Sequence, residues 1–304
     1  MANGILVLGA GELGLAVLEA LARHPKRRDS TIAVLLRPAS VSSSDTAKAE
    51  LVRHLKEDLS VHIEAADVVQ DSVDRLASIF SRYGTVVSCN GMGLPSGTQT
   101  KLTEAVLQAK VARYFPWQFG MDYDIIGTGS SQDLFDEQLA VRRLLRAQEA
   151  VDWIIVSTGL FMSFLFLAAF GVVDLPAKTV RGLGQWDNRI TVTTPADIGT
   201  VTADLILDPR GLGHQVVYVA GDTVTYGELA DLLEKHYQAP FRRELWDLAV
   251  LKKQMDEDPN TMVKYRDTFA QGRGVAWDKA QTVNAQRDIP MTDVAKYIET
   301  FEKL

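Results

Sequence analysis

The stretch ILVLGAGELGLAVLEAL, residues 5–21, places three glycines between a run of strand-forming residues and a run of helix-forming residues. Their spacing is G-x-G-x-x-G, which suits a tight strand-to-helix turn where a pyrophosphate approaches the backbone and the helix packs closely on the strand. The free N–H groups at the start of such a helix attract phosphate. The stretch therefore predicts a dinucleotide-binding turn. The residues predicted to contact the cofactor here are Gly9, Gly11, Glu12, Leu13 and Gly14.

Strand-like and helix-like patterns alternate along the first half of the chain. Apolar, β-branched segments begin near residues 5, 32, 61, 85, 112 and 152, with helical spacing of apolar residues between them. Six such units in order predict an α/β fold, a doubly wound parallel sheet of the Rossmann type. After about residue 160 the rhythm loosens, which predicts a smaller C-terminal α+β part. The predicted division is a dinucleotide-binding domain at residues 1–157 and a substrate-binding part at residues 158–304, with segments at about 190–220 returning to the sheet.

The end of the second predicted strand indicates which dinucleotide binds. NAD-preferring sites end this strand in an acidic residue that bonds the ribose hydroxyls. This chain has Leu36 at that point, followed by Arg37. A guanidinium pairs well with a 2′-phosphate, and Lys48 in the next helix offers a second positive charge. The sequence therefore predicts NADPH/NADP as the cofactor.

Composition excludes several classes of function. The chain has 304 residues, a formal net charge of −7 and a single cysteine, Cys89. A net negative charge without a long basic run argues against nucleic-acid binding. One cysteine rules out an internal disulfide and a CxxC metal or redox site, so no metal is predicted. The first residues lack the basic segment of a signal peptide, and we expect a cytoplasmic protein.

One apolar stretch, residues 153–175, has the length of a membrane span. Polar residues and glycines interrupt it, and its first half is β-branched. We interpret it as a buried strand, a turn at Thr158 and Gly159, and an aromatic segment. Further along, Thr225 and Glu228 have the spacing of a helix capping box, and Thr292 is predicted to cap the last helix.

With these residues considered, the chain resembles the NmrA-like group of atypical short-chain dehydrogenases. Within that group it resembles the isoflavone reductase and phenylcoumaran benzylic ether reductase branch. The similarity extends over most of the chain. It is carried by VLGAGELG (residues 7–14), LLRPAS (35–40), RYFPWQFGMDYD (113–124), LFDEQLAVRRLLRA (134–147) and VVYVAGDTVTYGELADLLEK (216–235).

The resemblance implies specific roles for residues after the fourth and fifth strands. It implies that Asn90 and Gly91 run beside the adenosine and ribose, and that Phe115 and Pro116 lie close to the nicotinamide. It also implies a substrate pocket between the sheet and the C-terminal part. The residues implied to line that pocket are Trp117, Gln118, Met121, Tyr123, Phe161 and Phe164.

The sequence departs from the family at the catalytic position. The reductases carry a general acid/base lysine four residues before an arginine pair, and here that position is Gln138. An amide forms hydrogen bonds but does not transfer a proton at neutral pH. Gln138 and the phenol of Tyr123 are therefore the candidate catalytic residues, with less weight on the neighbouring acids Asp122, Asp136 and Glu137. The arginine pair, Arg142 and Arg143, is expected on a solvated helix face or in an ion pair.

Three functions fit these residues. The first is an NADPH-dependent oxidoreductase that transfers hydride to or from a small apolar, aromatic or polyketide-like molecule. The second is an NADP(H)-binding sensor or regulator without turnover, which the missing lysine favours. The third is a non-redox isomerase or cyclase that uses the same pocket. We expect a small-molecule substrate as partner, no nucleic acid, no membrane, and a monomer or homodimer.

Overall fold

The computed structural model describes residues 4–28 and 30–302 of the chain. By their internal contacts these residues form two compact units. The first contains residues 4–118, 140–156 and 198–216, and the second contains residues 119–139, 157–197 and 217–302. The functional division at residue 157, with cofactor bound on one side and substrate on the other, stays a prediction.

The strands alternate with helices in the first half of the chain, as the sequence predicts. The strands are β1 (Ile5–Leu8), β2 (Ile32–Leu36), β3 (His62–Ala65), β4 (Thr85–Ser88), β5 (Arg113–Phe115), β6 (Asp152–Ser157), β7 (Leu160–Phe161), β8 (Val173–Asp174), β9 (Thr179–Leu183), β10 (Arg189–Thr193), β11 (Gln215–Tyr218), β12 (Asp222–Thr225) and β13 (Arg242–Trp246).

The helices differ widely in length. They are α1 (Glu12–Arg23), α2 (Pro38–Val41), α3 (Thr46–Arg53), α4 (Val73–Phe80), α5 (Thr98–Ala109), α6 (Tyr123–Ile126), α7 (Leu134–Arg146), α8 (Pro195–Leu207), α9 (Tyr226–Tyr237), α10 (Leu248–Glu257), α11 (Thr261–Ala270), α12 (Val283–Gln286) and α13 (Val294–Ile298). A π-helical turn at His54–Asp58 extends α3, and 3₁₀ turns lie at Met162–Phe166 and Lys279–Gln281.

Within the described residues, seven strands form the central sheet in the order β11-β6-β5-β4-β1-β2-β3. The ladders from β3 across β1 to β6 are parallel. The strand order reverses at β1. From β1 the chain adds β2 and β3 on one side of the sheet, and it then returns to add β4 on the other side of β1. In a doubly wound sheet the carboxyl ends of the strands on either side of this reversal border a ligand-binding crevice. The predicted fold class is confirmed.

Burial on both faces explains why β1 and β2, in the interior of this sheet, are apolar at every position. All four residues of β1 and all five of β2 are buried. On one face, Leu6 and Leu8 belong to a core cluster with Phe80 of α4 and Leu102 of α5. On α8, Gly199 lies against the backbone of Ala16 in α1, where a Cβ atom would come about 2.5 Å from the Ala16 carbonyl oxygen. The glycine therefore allows close packing of these two helices.

The second unit contains two small sheets, with strand orders β12-β10-β7 and β13-β9-β8. Side-chain amides tie its irregular segments to the strands. The side chain of Asn284 accepts from the N–H of Ala220 at 3.1 Å and donates to the Ala220 carbonyl at 3.2 Å. The side-chain amide of Asn188 donates to two carbonyls, those of Leu183 and Ala270, both at 3.0 Å. These bonds link α12 to the turn between β11 and β12, and the turn between β9 and β10 to the end of α11.

The two predicted helix caps have different outcomes. The capping box at Thr225 and Glu228 is confirmed, with both reciprocal hydrogen bonds present at the start of α9. The predicted cap at Thr292 is wrong, because the side chain of Asp293 accepts from the Lys296 N–H and begins α13 one residue later. The Thr292 N–H instead donates to the Asp197 carboxylate at 2.9 Å.

The apolar stretch at residues 153–175 forms the predicted buried strand, β6, and then a turn in which Gly159 has φ +72°. In the described part of the chain, no helix combines the length and apolar character needed to span a bilayer.

Replacing the N-cap residue of α9 tests how much the capping box contributes to the stability of the protein. Thr225→Ala removes the side-chain oxygen that accepts from the Glu228 N–H at 3.0 Å. We expect a loss of about 1 kcal/mol in the free energy of unfolding, measured by urea denaturation. Thr46→Ala is the matched control, because Thr46 follows the cap Asp45 on α3. Equal losses in both variants would contradict the assigned role of the capping box.

Candidate active site

The turn between β1 and α1 uses its glycines in three different ways. Gly9 has φ +90°, a conformation that side chains disfavour. A Cβ atom at Gly14 would overlap the backbone carbonyl of Gly9, so glycine lets α1 pack directly against the turn. A Cβ atom at Gly11 would meet nothing within 4 Å. The backbone at Gly11 therefore borders open space, while Gly14 is enclosed by protein.

The first turn of α1 has no side-chain cap. Gly11 is the N-cap residue and has no side chain to accept from the backbone N–H groups that follow. Of the next two residues, Glu12 is exposed and Leu13 is buried at 4% exposure. The first N–H groups of a helix carry a partial positive charge. This end of α1 is thus suited to receive an anionic group from outside the chain.

A cleft of about 650 Å³ lies at the carboxyl ends of the strands beside this turn. It brings together five predicted cofactor residues, which are Gly9, Gly11, Arg37, Lys48 and Asn90. The sequence analysis did not identify the remaining lining residues. They are Ala10, Leu35, Leu36, Ser40, Leu51, Val52, Ala66, Asp67, Val68, Val69, Gln70, Met92, Gly93 and Leu94.

Arg37 and Lys48 are both exposed at this cleft. Arg37 follows β2 and is the N-cap residue of α2, where its carbonyl accepts from the Ser40 N–H at 2.8 Å. Among residues 4–28 and 30–302, no carboxylate lies within 4 Å of either side-chain cation. By contrast, Lys26 contacts the carboxylate of Asp208 at 2.6 Å. The two cations at the cleft are therefore available to an anionic ligand.

The carboxylate of Asp67 also borders the cleft, at the carboxyl end of β3. Its Oδ1 atom accepts from the N–H groups of Val69 at 2.8 Å and Gln70 at 3.2 Å. The loop backbone therefore engages this negative charge. An aspartate within two residues of the end of a parallel strand is a signal that sequence analysis can use, and the sequence analysis did not assign Asp67 to the site.

Side chains on α5 anchor the loops that form the cleft walls. The ammonium group of Lys101 donates to the carbonyls of Val69 at 2.7 Å and Asp71 at 3.1 Å. The side-chain amide of Gln99 donates to the Asn90 carbonyl at 2.9 Å. Within the described residues, the side-chain Oδ1 of Asn90 is buried and accepts no hydrogen bond. These hydrogen bonds hold the loops in place.

The loops after β4 and β5 contact each other through Gly91 and Trp117. A Cβ atom at Gly91 would overlap the indole ring of Trp117, so the ring lies directly against the Gly91 backbone. Trp117 is half-buried, while Phe115 and Pro116 before it are buried. The predicted placement of Phe115 and Pro116 beside a nicotinamide stays a prediction.

Gln118 contacts a buried arginine. The Nε–H of Arg142 donates to the Oε1 of Gln118 at 2.7 Å, and the two side chains are 0% and 1% exposed. The expectation of a solvated face is wrong for Arg142, although Arg143 beside it is exposed. Arg142 lies seven residues, or two helical turns, after the buried Phe135 of α7. This spacing is the signal that places it on the inner face of the helix.

The remaining candidate residues belong to the second unit. Gln138 is 1% exposed on α7, and Tyr123, at the start of α6, is 5% exposed. Met121 and Tyr123 are members of the core cluster of this unit, and Phe164 packs against that cluster. Phe161 is half-buried at the end of β7. The assignment of these residues to catalysis and substrate binding is carried forward as a proposal.

Other residues considered for proton transfer have structural partners. The carboxylate of Asp122 accepts from the N–H groups of Asp124 and Ile125 and from the hydroxyl of Tyr218. Asp136 is exposed and accepts from the Gly129 N–H at 3.0 Å. These bonds give the carboxylates of Asp122 and Asp136 a role in supporting the local backbone.

Neither metal binding nor thiol chemistry has support in the described ranges. Residues 4–28 and 30–302 contain no group of three histidine, cysteine or acidic side chains that could hold a metal ion. Burial raises the pKa of the Cys89 thiol well above its usual range, so the thiol is protonated at neutral pH.

The fold and the glycine-lined cleft define an α/β protein of the dinucleotide-binding type. The NmrA-like family matches residues 1–298, and the chain belongs to that family. An NmrA-like family domain-containing oxidoreductase of Gibberella moniliformis is 56% identical over 300 residues, which cover 98% of each chain. The isoflavone reductase homolog IRL of Zea mays is 29% identical over 98% of this chain and 97% of its own. The resemblance inferred from the sequence motifs is confirmed.

A solved structure shares the fold over nearly the whole length. The structure of AtPrR2 with NADP⁺ and (+)-pinoresinol has a TM-score of 0.79 and 20% sequence identity, and it covers 99% of both chains. At this level of identity the similarity establishes the arrangement of strands and helices.

Alanine substitutions at two glycines test the assignments within the turn. Gly14→Ala should lower the free energy of unfolding by roughly 3 kcal/mol, because the backbone carbonyl of Gly9 cannot turn away from the added methyl group. Gly11→Ala should stay within about 1 kcal/mol of the unsubstituted protein, because the methyl group enters open space. Urea unfolding of both variants measures the difference. A severe loss in Gly11→Ala would show that Gly11 is also enclosed.

Proposed function

We propose that the chain is an NADP(H)-dependent oxidoreductase that transfers hydride between the nicotinamide and a small apolar, aromatic or polyketide-like molecule. The observation that carries this proposal is a pair of cations, Arg37 and Lys48, that form no ion pair within the described residues. Both lie at the cleft that also contains the glycine turn. The oxidoreductase relative at 56% identity and the NADP⁺-containing structure of similar fold support it.

The residues of the cleft fit this cofactor. The open backbone at Gly11 and the uncapped N–H groups of α1 would receive the pyrophosphate. Arg37 and Lys48 would pair with the 2′-phosphate, since a guanidinium binds phosphate through two parallel hydrogen bonds. Asn90, which lines the cleft, is proposed to run beside the adenosine and ribose. Gly91, Phe115 and Pro116 are proposed to complete the site along the cofactor.

NADPH, when bound, supplies the hydride, and the chain must orient the substrate and manage the proton. The amide of Gln138 is proposed to hold the reacting oxygen of the substrate by a hydrogen bond. The phenol of Tyr123 is proposed as the proton donor, because an amide cannot transfer a proton at neutral pH. The residues proposed to line the substrate site are Trp117, Gln118, Met121, Phe161 and Phe164.

Removing the guanidinium tests the cofactor assignment. Arg37→Ala should weaken binding of NADPH by roughly ten- to a hundredfold, because one charge-assisted contact with phosphate is lost. Binding of NADH, which lacks the phosphate, should change far less. Isothermal titration with each cofactor measures both effects. Arg23→Ala is the control, because Arg23 lies at the opposite end of α1. Equal losses for NADPH and NADH would refute the 2′-phosphate assignment.

A substitution at Gln138 tests turnover. Gln138→Leu keeps a similar volume and removes both polar atoms, so we expect kcat to fall roughly a hundredfold with an unchanged NADPH dissociation constant. The measurement is NADPH absorbance with a panel of aromatic carbonyls, enones and benzylic ethers. The control is Gln286→Leu at an exposed glutamine of α12. If the unsubstituted protein binds NADPH yet oxidises it with no compound in the panel, the sensor function is favoured instead.

A further inference from the structure

The proposed proton donor, Tyr123, stands at the start of a very short helix. Helix α6 contains only residues Tyr123–Ile126, too few to be stable without outside support. The residue before it, Asp122, is the N-cap, and its Oδ1 accepts from the N–H groups of Asp124 at 3.1 Å and Ile125 at 3.3 Å. The position of the phenol therefore depends on how firmly Asp122 is held.

Asp122 is held by a residue 96 positions later in the chain. The hydroxyl of Tyr218 donates to its Oδ2 atom at 2.5 Å, and Asp122 is 4% exposed. The Asp122 N–H donates to the carbonyl of Gly274 at 2.9 Å. The ring of Tyr218 packs on Trp277 with centroids 5.1 Å apart, and the Trp277 indole N–H donates to the Val219 carbonyl at 3.1 Å. The hydrogen-bond donor to Asp122 is thus itself held by its neighbours.

The same region limits where the phenol can lie. A Cβ atom at Gly120 would overlap the hydroxyl of Tyr123, so the hydroxyl lies directly over the Gly120 backbone. The carbonyl of Gly120 accepts from the N–H groups of Thr158 and Gly159, both at 3.0 Å. The ring of Tyr123 packs against Phe135 with centroids 4.9 Å apart. A small rotation of α6 would move the hydroxyl away from Gly120.

We infer that Asp122 and Tyr218 are positioning residues, whose hydrogen bond holds α6 so that the Tyr123 hydroxyl lies over Gly120. This inference rests on the proposed function, in which Tyr123 donates the proton. Neither positioning residue transfers a proton itself. Substitutions at these two residues should lower turnover only when Tyr123 is present. A general loss of stability would lower turnover whether or not Tyr123 is present.

A double-mutant cycle tests that dependence. Tyr218→Phe removes one hydroxyl and keeps the ring, so we expect kcat to fall roughly ten- to a hundredfold with little change in KM. In a Tyr123→Phe background, the same substitution should cause no further loss of kcat. Asp122→Asn, which retains a capping side chain, should behave in the same way as Tyr218→Phe. A further loss of similar size in the Tyr123→Phe background would overturn the inference.

A second measurement does not need turnover. In protein labelled with fluorotyrosine, the fluorine NMR signal of Tyr123 is the one absent from Tyr123→Phe. Tyr218→Phe should shift or broaden that signal. The control is Tyr226→Phe, at a core tyrosine whose hydroxyl has no hydrogen-bond partner among the described residues, and it should leave the signal in place. An unchanged Tyr123 signal in Tyr218→Phe overturns the inference. Absence of turnover with a shifted signal overturns the proposed function alone.

Discussion

The close contact between Gly14 and the carbonyl of Gly9 is the constraint on which the rest of the site depends. Because Gly14 has no Cβ atom, α1 begins immediately at the end of β1 and packs on the turn. Any side chain at that position would move the helix start away from the edge of the sheet. The open backbone at Gly11 then lies beside the carboxyl ends of β1, β2 and β4, where the cleft forms. The absence of a Cβ atom at Gly14 thus sets the position of the helix start beside the cleft.

Charge distribution at this cleft supports the proposed preference for a phosphorylated cofactor. Many cations of the chain are engaged with carboxylates, as in the contact of Arg113 with Asp152 at 2.7 Å. At the cleft, Asp67 is used by its own loop, and Leu36 stands where an acidic residue would bond a ribose. The positive charges of Arg37 and Lys48 are therefore not cancelled locally. A phosphate placed near them gains attraction from both charges, while the Asp67 carboxylate at the same cleft is engaged by the N–H groups of Val69 and Gln70.

Local sequence patterns were sufficient to predict the sheet, the glycine turn and the capping box of α9. Each of these is determined within a few residues, by glycine spacing, strand alternation or a Thr-x-x-Glu pair. The cap of α13 was predicted one residue early, since Thr292 and Asp293 are adjacent capping residues and Asp197 bonds the Thr292 N–H. Local pattern alone cannot decide between two neighbouring caps when a distant side chain favours one of them.

Two features that the sequence analysis missed, the burial of Arg142 and the support of Asp122, depend on partners far away in the chain. Burial of Arg142 requires an acceptor such as Gln118, 24 residues earlier, because a buried charge without hydrogen bonds is too costly. The support of Asp122 by Tyr218 spans 96 residues. No periodicity in the sequence reveals which residues form such pairs.

If Gln138 occupies the position of the family's catalytic lysine, as the resemblance implies, the proposed proton transfer depends on these distant contacts. A lysine supplies a mobile proton from a long, flexible side chain, which tolerates some displacement of its backbone. A phenol is rigid beyond its second side-chain torsion, so its hydroxyl follows the backbone that carries it. If Tyr123 supplies the proton, accuracy must come from the helix cap and the residues that hold the cap. The buried bond from Tyr218 to Asp122 is suited to this task, because a charge-assisted hydrogen bond is both short and strongly directional.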